Sequence, residues 1–130
     1  MKISIIGCGR LGKSIHTILH NKNIPHHVIT RDQDIPSSDL YYLTVPDSEI
    51  KAVSETVPHT GVLLHAAGSL SADILRPHPC VGVLHPIMTF PGPDVAMPSP
   101  PIPATISGDA KAVEVGTTFG TTLGLSLIHI

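Results

Sequence analysis

The feature that most constrains the fold is a short apolar run that stops at a cluster of glycines. Residues 1–6 are Met-Lys-Ile-Ser-Ile-Ile, and the chain then continues with the glycine-rich residues 7–12. Apolar residues next recur at helical spacing, at Ile15, Ile18 and Leu19. A strand, a glycine turn and a helix in this order are typical of the first βαβ unit of a dinucleotide-binding domain. We therefore predict a buried parallel strand, followed by a helix that begins within the turn.

The turn fits the pattern G-x-G-x-x-G, and each glycine meets a separate physical requirement. Gly7 permits the tight turn, Gly9 lets the backbone approach a pyrophosphate, and Gly12 lets the helix pack closely on the strand. The unpaired N–H groups and the dipole at the start of the helix favour an anion. We therefore expect the whole turn to contact the cofactor, namely Gly7, Cys8, Gly9, Arg10, Leu11 and Gly12.

The same stretch also satisfies a second nucleotide-binding pattern. Residues 7–14 match G-x-x-x-x-G-K-S, the phosphate loop of nucleotide triphosphatases and kinases, in which Lys13 and Ser14 would hold phosphate and magnesium. The two patterns begin the helix at different places, so only one can hold. A triphosphatase also needs an apolar strand that ends directly in an aspartate, whereas here Pro46 separates the strand from Asp47. The dinucleotide interpretation is favoured, and the triphosphatase is the alternative.

The end of the second predicted strand indicates which dinucleotide binds. Residues 27–30 are typical of a strand, and Arg31 and Asp32 follow it. Sites that prefer NAD carry an acidic residue about 20 positions after the turn, where it accepts a hydrogen bond from a ribose hydroxyl. Here Thr30 and Arg31 take that position, and an arginine can donate two hydrogen bonds to a 2′-phosphate. NADP(H) is the expected cofactor, with NAD(H) bound by Asp32 as the alternative.

Strands and helices alternate along most of the remaining chain. Residues 40–45 and 62–66 are rich in aromatic and branched side chains, which is typical of strands. This alternation predicts an α/β fold with a doubly wound, mainly parallel sheet of the Rossmann type. Two helices are also predicted between these strands and the next ones: one capped by Asp47, with its apolar face at Ile50, Val53 and Val57, and a short one capped by Ser71. Further strands are predicted at 81–84 and 104–107, with a loop over the proline-rich residues 91–103 between them. The last predicted element is a weaker helix from Asp109 to Leu123, which contains Gly116 and Gly120.

Size and composition exclude several functional classes. The 130 residues suit one compact domain, and a hydrophobic content of 42% can build a core. A net charge of −2 argues against a nucleic-acid partner, and no apolar run reaches the roughly 20 residues that a membrane helix needs. The two cysteines do not form a disulfide framework and indicate a reducing compartment, so we expect a cytoplasmic protein.

Four segments together resemble one family. They are the strand with its glycine turn (5–12), Leu-Thr-Val-Pro-Asp (43–47), His-Ala-Ala-Gly (65–68) and Leu-His-Pro-Ile-Met-Thr-Phe (84–90). Their order is similar to that of the Rossmann-like proposed NADP oxidoreductases that carry a C-terminal helical domain of unknown function. Those proteins are distant relatives of pyrroline-5-carboxylate reductase and 6-phosphogluconate dehydrogenase. The resemblance spans nearly the whole chain, and its last two segments are more specific than the glycine turn.

This chain differs from the family pattern at one position and stops before a domain that family members contain. Family members usually have Ser-Gly at 67–68, where this chain has Ala-Gly, and Ser69 could substitute for that hydroxyl. In the family a helical domain follows, builds a homodimer and closes the site for a small-molecule substrate. We therefore expect a fragment with its dinucleotide-binding domain over 1–124. Residues 125–130, Leu-Ser-Leu-Ile-His-Ile, match the in-frame translation of a common transposase sequencing adapter, so a non-native tail is expected.

Several residues at predicted strand ends are candidates for contact with cofactor or substrate. Ligands of open α/β sheets bind at the carboxyl ends of the strands, so Val45 and Pro46 are expected to line the nicotinamide ribose through backbone atoms. Gly68 is expected to lie against the cofactor for the same reason. His65 could orient substrate or cofactor, or it could be a core histidine with satisfied hydrogen bonds.

His85 is the candidate catalytic residue. It ends an apolar strand and is fixed by Pro86, so it could donate a proton near the nicotinamide, or it could simply hold the loop that follows. Similar His-Pro pairs occur in prephenate dehydrogenases, which makes a prephenate-like substrate an alternative. A metal site formed by His78, Cys80 and His85 is not expected, because the spacing is not that of a zinc site.

Three functions are consistent with these observations. The favoured one is an NADP-dependent oxidoreductase domain that transfers hydride to or from a small substrate once its helical domain is present. The second is a triphosphatase or kinase that uses Lys13 and Ser14. The third is a non-catalytic NADP(H)-binding module.

Overall fold

The computed structural model describes residues 1–87 and 101–130, which form one seven-stranded sheet with helices on both faces. The helices are α1 (Arg10–Asn21), α2 (Ile50–Ser54) and α3 (Ala110–Thr122), and 3-10 turns cover Asp47–Glu49 and Ala72–Leu75. The strands are β1 (Ile3–Ile6), β2 (His27–Ile29), β3 (Leu40–Leu43), β4 (Val62–His65), β5 (Val81–Pro86), β6 (Pro103–Gly108) and β7 (Ser126–His129).

The order of the strands confirms the predicted doubly wound, mainly parallel sheet. The order is β2-β1-β3-β4-β5-β6-β7, and β1 to β5 are mutually parallel, whereas β6 runs antiparallel to β5. The chain passes from β1 outward to β2 and then returns to β3 on the other side of β1, so the winding direction reverses between β1 and β3. In open α/β sheets, ligands bind outside the carboxyl ends of the strands at such a reversal.

Side chains alternate between the two faces of the sheet, and both faces are covered. In β3, Leu40 and Tyr42 join one core and Tyr41 and Leu43 join the other, and all four are fully buried. Helices α1 and α3 cover the first core, while α2 and the 3-10 turn Ala72–Leu75 lie against the second. A strand buried on both faces carries a continuous apolar run, which explains the sequence of β3 and β4.

Helix α3 is continuous despite its two glycines, because both lie where the helix touches the sheet. A Cβ atom at Gly116 would be 2.5 Å from Ile106 Cδ1, and one at Gly120 would be 3.0 Å from Leu127 Cδ2. The glycines therefore let the helix axis approach the strands. Their lower helix propensity, about 1 kcal/mol relative to alanine, is offset by burial against the sheet.

Two predicted elements differ from the structure at their ends. Helix α2 ends at Ser54, so Val57, which was expected on its apolar face, is buried beyond its end. The hydroxyls of Ser54 and Thr56 donate to the carbonyls of Lys51 and Val53, and such local bonds compete with helix propagation. Asp47 makes no capping hydrogen bond to any described residue, because Pro46 occupies the N-cap position and places Asp47 one residue inside the turn.

The last residues of the chain belong to the sheet. Strand β7 pairs in parallel with β6, and Leu125 is buried, whereas the Ile130 side chain is exposed. Most of the predicted proline-rich loop, and Met88 to Phe90 of the fourth family segment, lie outside the described residues. Within the described part of the chain, no helix is both long enough and apolar enough to cross a membrane.

The packing of β5 beneath α3 makes Gly82 sensitive to substitution. A Cβ atom there would be 2.8 Å from the Ser107 carbonyl oxygen and 3.0 Å from the Ala112 Cβ atom. We expect Gly82→Ala to lower the free energy of unfolding by about 1–3 kcal/mol, measured by urea denaturation. Gly9→Ala is the matched control, because apart from Gly9 and its two chain neighbours no described residue has an atom within 4 Å of the added carbon. Equal stabilities of the two variants would contradict this account of the packing.

Candidate functional site

A cleft of about 950 Å³ lies across the carboxyl ends of β1, β2 and β3. The winding reversal between β1 and β3 lies within the stretch of this edge that the cleft spans. Its walls come from the glycine turn after β1, the loop after β2, the turn after β3, and α2. The lining residues include Gly7, Cys8, Gly9, Thr30, Arg31, Asp32, Thr44, Val45, Pro46 and Glu49.

The glycine turn is locked between the ends of β2 and β3. The Gly7 N–H donates to the carbonyl of Ile29, and φ of Gly7 is +114°, a conformation that favours glycine. A Cβ atom at Gly12 would be 2.5 Å from the Gly7 carbonyl oxygen. The first and third glycines therefore have structural roles in this turn, as predicted from the pattern.

Thr44 completes this contact, and the sequence interpretation did not identify it as a site residue. Its hydroxyl donates to the carbonyl of Ile6 at 3.0 Å. The same oxygen would be 2.7 Å from a Cβ atom at Gly7 and 2.8 Å from one at Gly12. The Thr44 hydroxyl therefore occupies the space between the two glycines and joins the end of β3 to the turn. In the sequence, its position directly after an apolar strand could have identified it as a site residue.

Gly9 differs from the other two glycines because the space beside it is open. Apart from Gly9 and its two chain neighbours, no described residue has an atom within 4 Å of the position that a Cβ atom would occupy, and Gly9 lines the cleft. It is also the N-cap of α1, where no described side chain caps the helix and the first turn contains no acidic residue. The unpaired N–H groups and the positive dipole end of the 12-residue helix α1 therefore follow directly on a residue that lines the cleft, whereas Arg10, Leu11 and Gly12 themselves are not among the lining residues.

The start of α1 distinguishes the two nucleotide-binding patterns. The helix begins at Arg10, and the Lys13 N–H already donates to the Gly9 carbonyl at 2.9 Å. In a phosphate loop the helix begins only around the Lys-Ser pair. Here Lys13 is exposed outside the cleft lining, and Ser14 is buried with no partner for its hydroxyl among the described residues. The geometry matches the dinucleotide pattern and not the triphosphatase alternative.

The loop after β2 holds the residues that were expected to choose between NADP(H) and NAD(H). Thr30 donates to Gln33 through both its N–H and its hydroxyl, which closes a turn at the end of the strand. Arg31 projects to the cleft edge and forms an exposed ion pair with Glu49, with Nη2 and Oε1 3.2 Å apart. Asp32, with φ of +66°, also lines the cleft.

The turn after β3 forms the other side of the cleft. Val45 and Pro46 both line it, one and two residues beyond Thr44. Asp47 and Glu49 lie in the 3-10 turn that follows, and of these two residues Glu49 is in the cleft lining. Val45 and Pro46 therefore belong to the wall of the cleft that the turn after β3 provides.

His65 has both of its ring nitrogens satisfied inside the protein. Its Nδ1 accepts from the Ala67 N–H, and its Nε2–H donates to the Ser71 carbonyl. The side chain is fully buried, and burial lowers the pKa of His65 below its ordinary value of 6.5. Of its two predicted roles, the structure supports the core histidine, which holds the loop after β4.

His85 differs from His65 because one ring nitrogen has no hydrogen bond. Its Nδ1–H donates to the Ala66 carbonyl at 2.8 Å, which leaves Nε2 without a partner among the described residues. A Cβ atom at Gly68 would be 2.5 Å from Nε2, so Gly68 lets the ring lie flat against the loop after β4. His85 is two strands from β3 in the sheet, about 10 Å along the edge that carries the cleft.

The structure separates the residues considered for a metal site. His78 and Cys80 precede β5, whereas His85 lies near its carboxyl end. The His78 Nε2–H donates to the Thr60 carbonyl, and burial lowers the pKa of His78. Across residues 1–87 and 101–130, no group of three His, Cys, Asp or Glu side chains could hold a metal ion.

Comparison with known proteins establishes the fold. No protein-family model and no curated protein matches the sequence. Among solved structures, a proposed NADP oxidoreductase from Bacteroides fragilis is similar at a TM-score of 0.75 and 20% identity, covering 98% of this chain and 58% of that one. An arogenate dehydrogenase from Synechocystis is similar at a TM-score of 0.78 and 14% identity, covering 100% of this chain and 59% of that one.

A prephenate dehydrogenase from A. aeolicus, solved with hydroxyphenyl propionate and NAD⁺, is similar at a TM-score of 0.73 and 12% identity. That match covers 100% of this chain and 59% of the other. The chain thus spans less than two thirds of the length of the solved proteins that it resembles. It has the fold of their Rossmann-like NAD(P)-binding domains, as the sequence resemblance implied.

The buried histidines make stability depend on pH. Because the pKa of His65 and of His78 is lowered in the folded state, the unfolded chain binds protons first as the pH falls below 6.5. The free energy of unfolding should be highest above pH 6.5 and should decrease as the pH falls through the folded-state values. The decrease can reach about 1.4 kcal/mol per histidine per pH unit.

Urea denaturation at pH 7.5 and 5.5, two conditions that differ by about two pH units, measures this dependence. His65→Gln should be less stable at pH 7.5 but should lose less on acidification. His27→Gln, a change at an exposed position on β2, is the control and should keep the wild-type dependence. A wild-type stability that rises on acidification would contradict the prediction.

Proposed function

We propose that this chain is the dinucleotide-binding domain of an oxidoreductase and that it binds NADP(H) in the cleft over β1, β2 and β3. The observation that carries the proposal is the open space beside Gly9, at the uncapped start of α1 and inside the cleft. A pyrophosphate needs close approach to the backbone and unpaired N–H donors, and this position supplies both.

The residues around the cleft fit the separate parts of the cofactor. Residues 7–12 would hold the pyrophosphate, with Gly7 and Gly12 shaping the turn and Gly9 making the closest approach. Arg31, with Thr30 beside it, would bind the 2′-phosphate at the end of β2, because a guanidinium donates paired hydrogen bonds to phosphate. Val45 and Pro46 would line the path towards the nicotinamide ribose, and Gly68 lies further along the same edge.

The bound nicotinamide would supply hydride chemistry, and His85 is our candidate among the described residues for handling a proton. The Ala66 carbonyl accepts a hydrogen bond from Nδ1–H, so Nε2, which has no partner among the described residues, is the nitrogen that would exchange a proton with a substrate. Gly68 holds the ring in this orientation through close contact. A small substrate would therefore bind beyond the ends of β4 and β5.

The substrate and the assembly of the whole protein are also proposals. The similar solved proteins include arogenate and prephenate dehydrogenases, so a prephenate-like substrate is the alternative to an unspecified small substrate. By the family resemblance, we propose that in the whole protein a helical domain closes the substrate site and forms a homodimer. A non-catalytic NADP(H)-binding module shares the cofactor site and differs in giving no turnover.

The first test is cofactor binding by a variant that closes the space beside Gly9. Because an added methyl group would occupy the position of closest approach, Gly9→Ala should weaken NADPH binding roughly tenfold or more, measured by isothermal titration calorimetry. Lys13→Ala is the control on the same helix and should bind NADPH like the wild type. Failure of the wild-type chain to bind either NADPH or NADH would overturn the proposal. So would magnesium-dependent ATP binding that Lys13→Ala abolishes.

The second test concerns the 2′-phosphate. Hydrogen bonds to charged groups contribute about 1.5–3 kcal/mol, so Arg31→Ala should weaken NADPH binding by roughly 10- to 150-fold. NADH lacks this phosphate, and its affinity should change little. Equal losses for the two cofactors would contradict the assignment of Arg31, while leaving the dinucleotide site in place.

A further inference from the structure

The corner of the cleft beside β2 carries more negative than positive charge. Arg31, Asp32, Asp34 and Glu49 all line this corner, so its charged residues are one cation and three carboxylates. Arg31 and Glu49 come from different elements, the loop after β2 and the 3-10 turn after β3. Their ion pair, with 3.2 Å between Nη2 and Oε1, therefore bridges the two walls of the cleft.

We propose that Glu49 sets the selectivity of this site between NADP(H) and NAD(H) by competing with the 2′-phosphate for the Arg31 guanidinium. The inference rests on the proposed function, because it concerns the same cofactor site. It goes further by assigning a role to a residue that neither the glycine pattern nor the family resemblance identified.

The competition follows from the chemistry of the two cofactors. A 2′-phosphate is a phosphate monoester, with a charge of about −1.5 to −2 near neutral pH. To bind Arg31 it must displace the Glu49 carboxylate or share the guanidinium with it, and the like charges then repel each other at short range. NAD(H) has a neutral hydroxyl at that position, so the Glu49 charge weakens the binding of NAD(H) far less than the binding of NADP(H).

The exposure of the pair sets the size of the effect. The side chains of Arg31 and Glu49 are 80% and 41% exposed, so solvent screens their attraction and Glu49 can be displaced. The carboxylate therefore reduces the preference for NADP(H) without preventing its binding. Asp32 and Asp34 add negative charge to the same corner, and neither forms an ion pair with Arg31 in the part of the chain that the structure describes.

The experiment compares the dissociation constants of NADPH and NADH for the 130-residue chain and its variants. Glu49→Gln removes the charge and keeps the shape of the side chain. Glu55→Gln is the matched control, because Glu55 is an exposed glutamate directly after α2 and is not in the cleft lining. We expect Glu49→Gln to tighten NADPH binding roughly two- to fivefold and to leave NADH binding unchanged.

Two further measurements distinguish competition for Arg31 from a general effect of the Glu49 charge on NADPH binding. In an Arg31→Ala background, the effect of Glu49→Gln on NADPH should shrink, because the group for which the carboxylate competes is gone. Raising the salt concentration should also reduce the difference between Glu49→Gln and wild type, since both groups are exposed. Persistence of the full effect in the Arg31→Ala background would overturn the competition mechanism.

The remaining outcomes are distinguishable from one another. If the wild-type chain binds neither cofactor, the proposed function fails and this inference fails with it. If both cofactors bind but Glu49→Gln behaves like Glu55→Gln, or shifts NADPH and NADH equally, the inference alone is overturned. Retained NADH binding by Glu49→Gln shows that the variant is folded.

Discussion

The contact between the glycine turn and the end of β3 is the interaction on which the rest of the site depends. The Thr44 hydroxyl lies between Gly7 and Gly12 and donates to Ile6, so a single oxygen joins β1, β3 and the start of α1. Beside this contact the helix begins at Arg10, and the space next to Gly9 is open among the described residues. A side chain at either packed glycine would move the helix away and would remove the close approach that an anion needs.

The carboxyl ends of neighbouring strands are aligned, so the loops that follow them lie side by side along one edge of the sheet. Ile6, Leu43 and His65 pair in one row, so the segments that follow β1, β3 and β4 emerge at the same level. Two histidines near this edge differ in their hydrogen bonds and hence in what they can do. His65 uses both nitrogens to hold a loop, whereas His85 bonds through Nδ1 and its Nε2 has no partner within residues 1–87 and 101–130. Histidine thus has a structural role at position 65, whereas at position 85 one ring nitrogen could take part in proton transfer.

The sequence predicted the elements that depend on residues close to each other along the chain. The features that depend on contacts between distant residues could not be predicted from it. The glycine spacing and the apolar runs predicted β1, α1, β3 and the doubly wound sheet, because burial on both faces leaves a direct record in composition. The tolerance of α3 for Gly116 could not be predicted, since it depends on contact with Ile106, ten residues earlier on another element. The roles of Thr44 and Glu49 depend on which strands become neighbours, and the motif does not encode that.

A dinucleotide bound at the glycine turn, on the edge of the sheet where β1 and β3 diverge, would change the surroundings of the amides in that turn. Nuclear magnetic resonance of the ¹⁵N-labelled chain during an NADPH titration measures this. We expect the largest amide shifts on Gly9, Arg10 and Leu11, with smaller ones at Arg31 and Val45. Gly61 and Gly108, at the opposite edge of the sheet, should stay unchanged. Shifts concentrated at that opposite edge, or none at saturating NADPH, would contradict binding at the glycine turn.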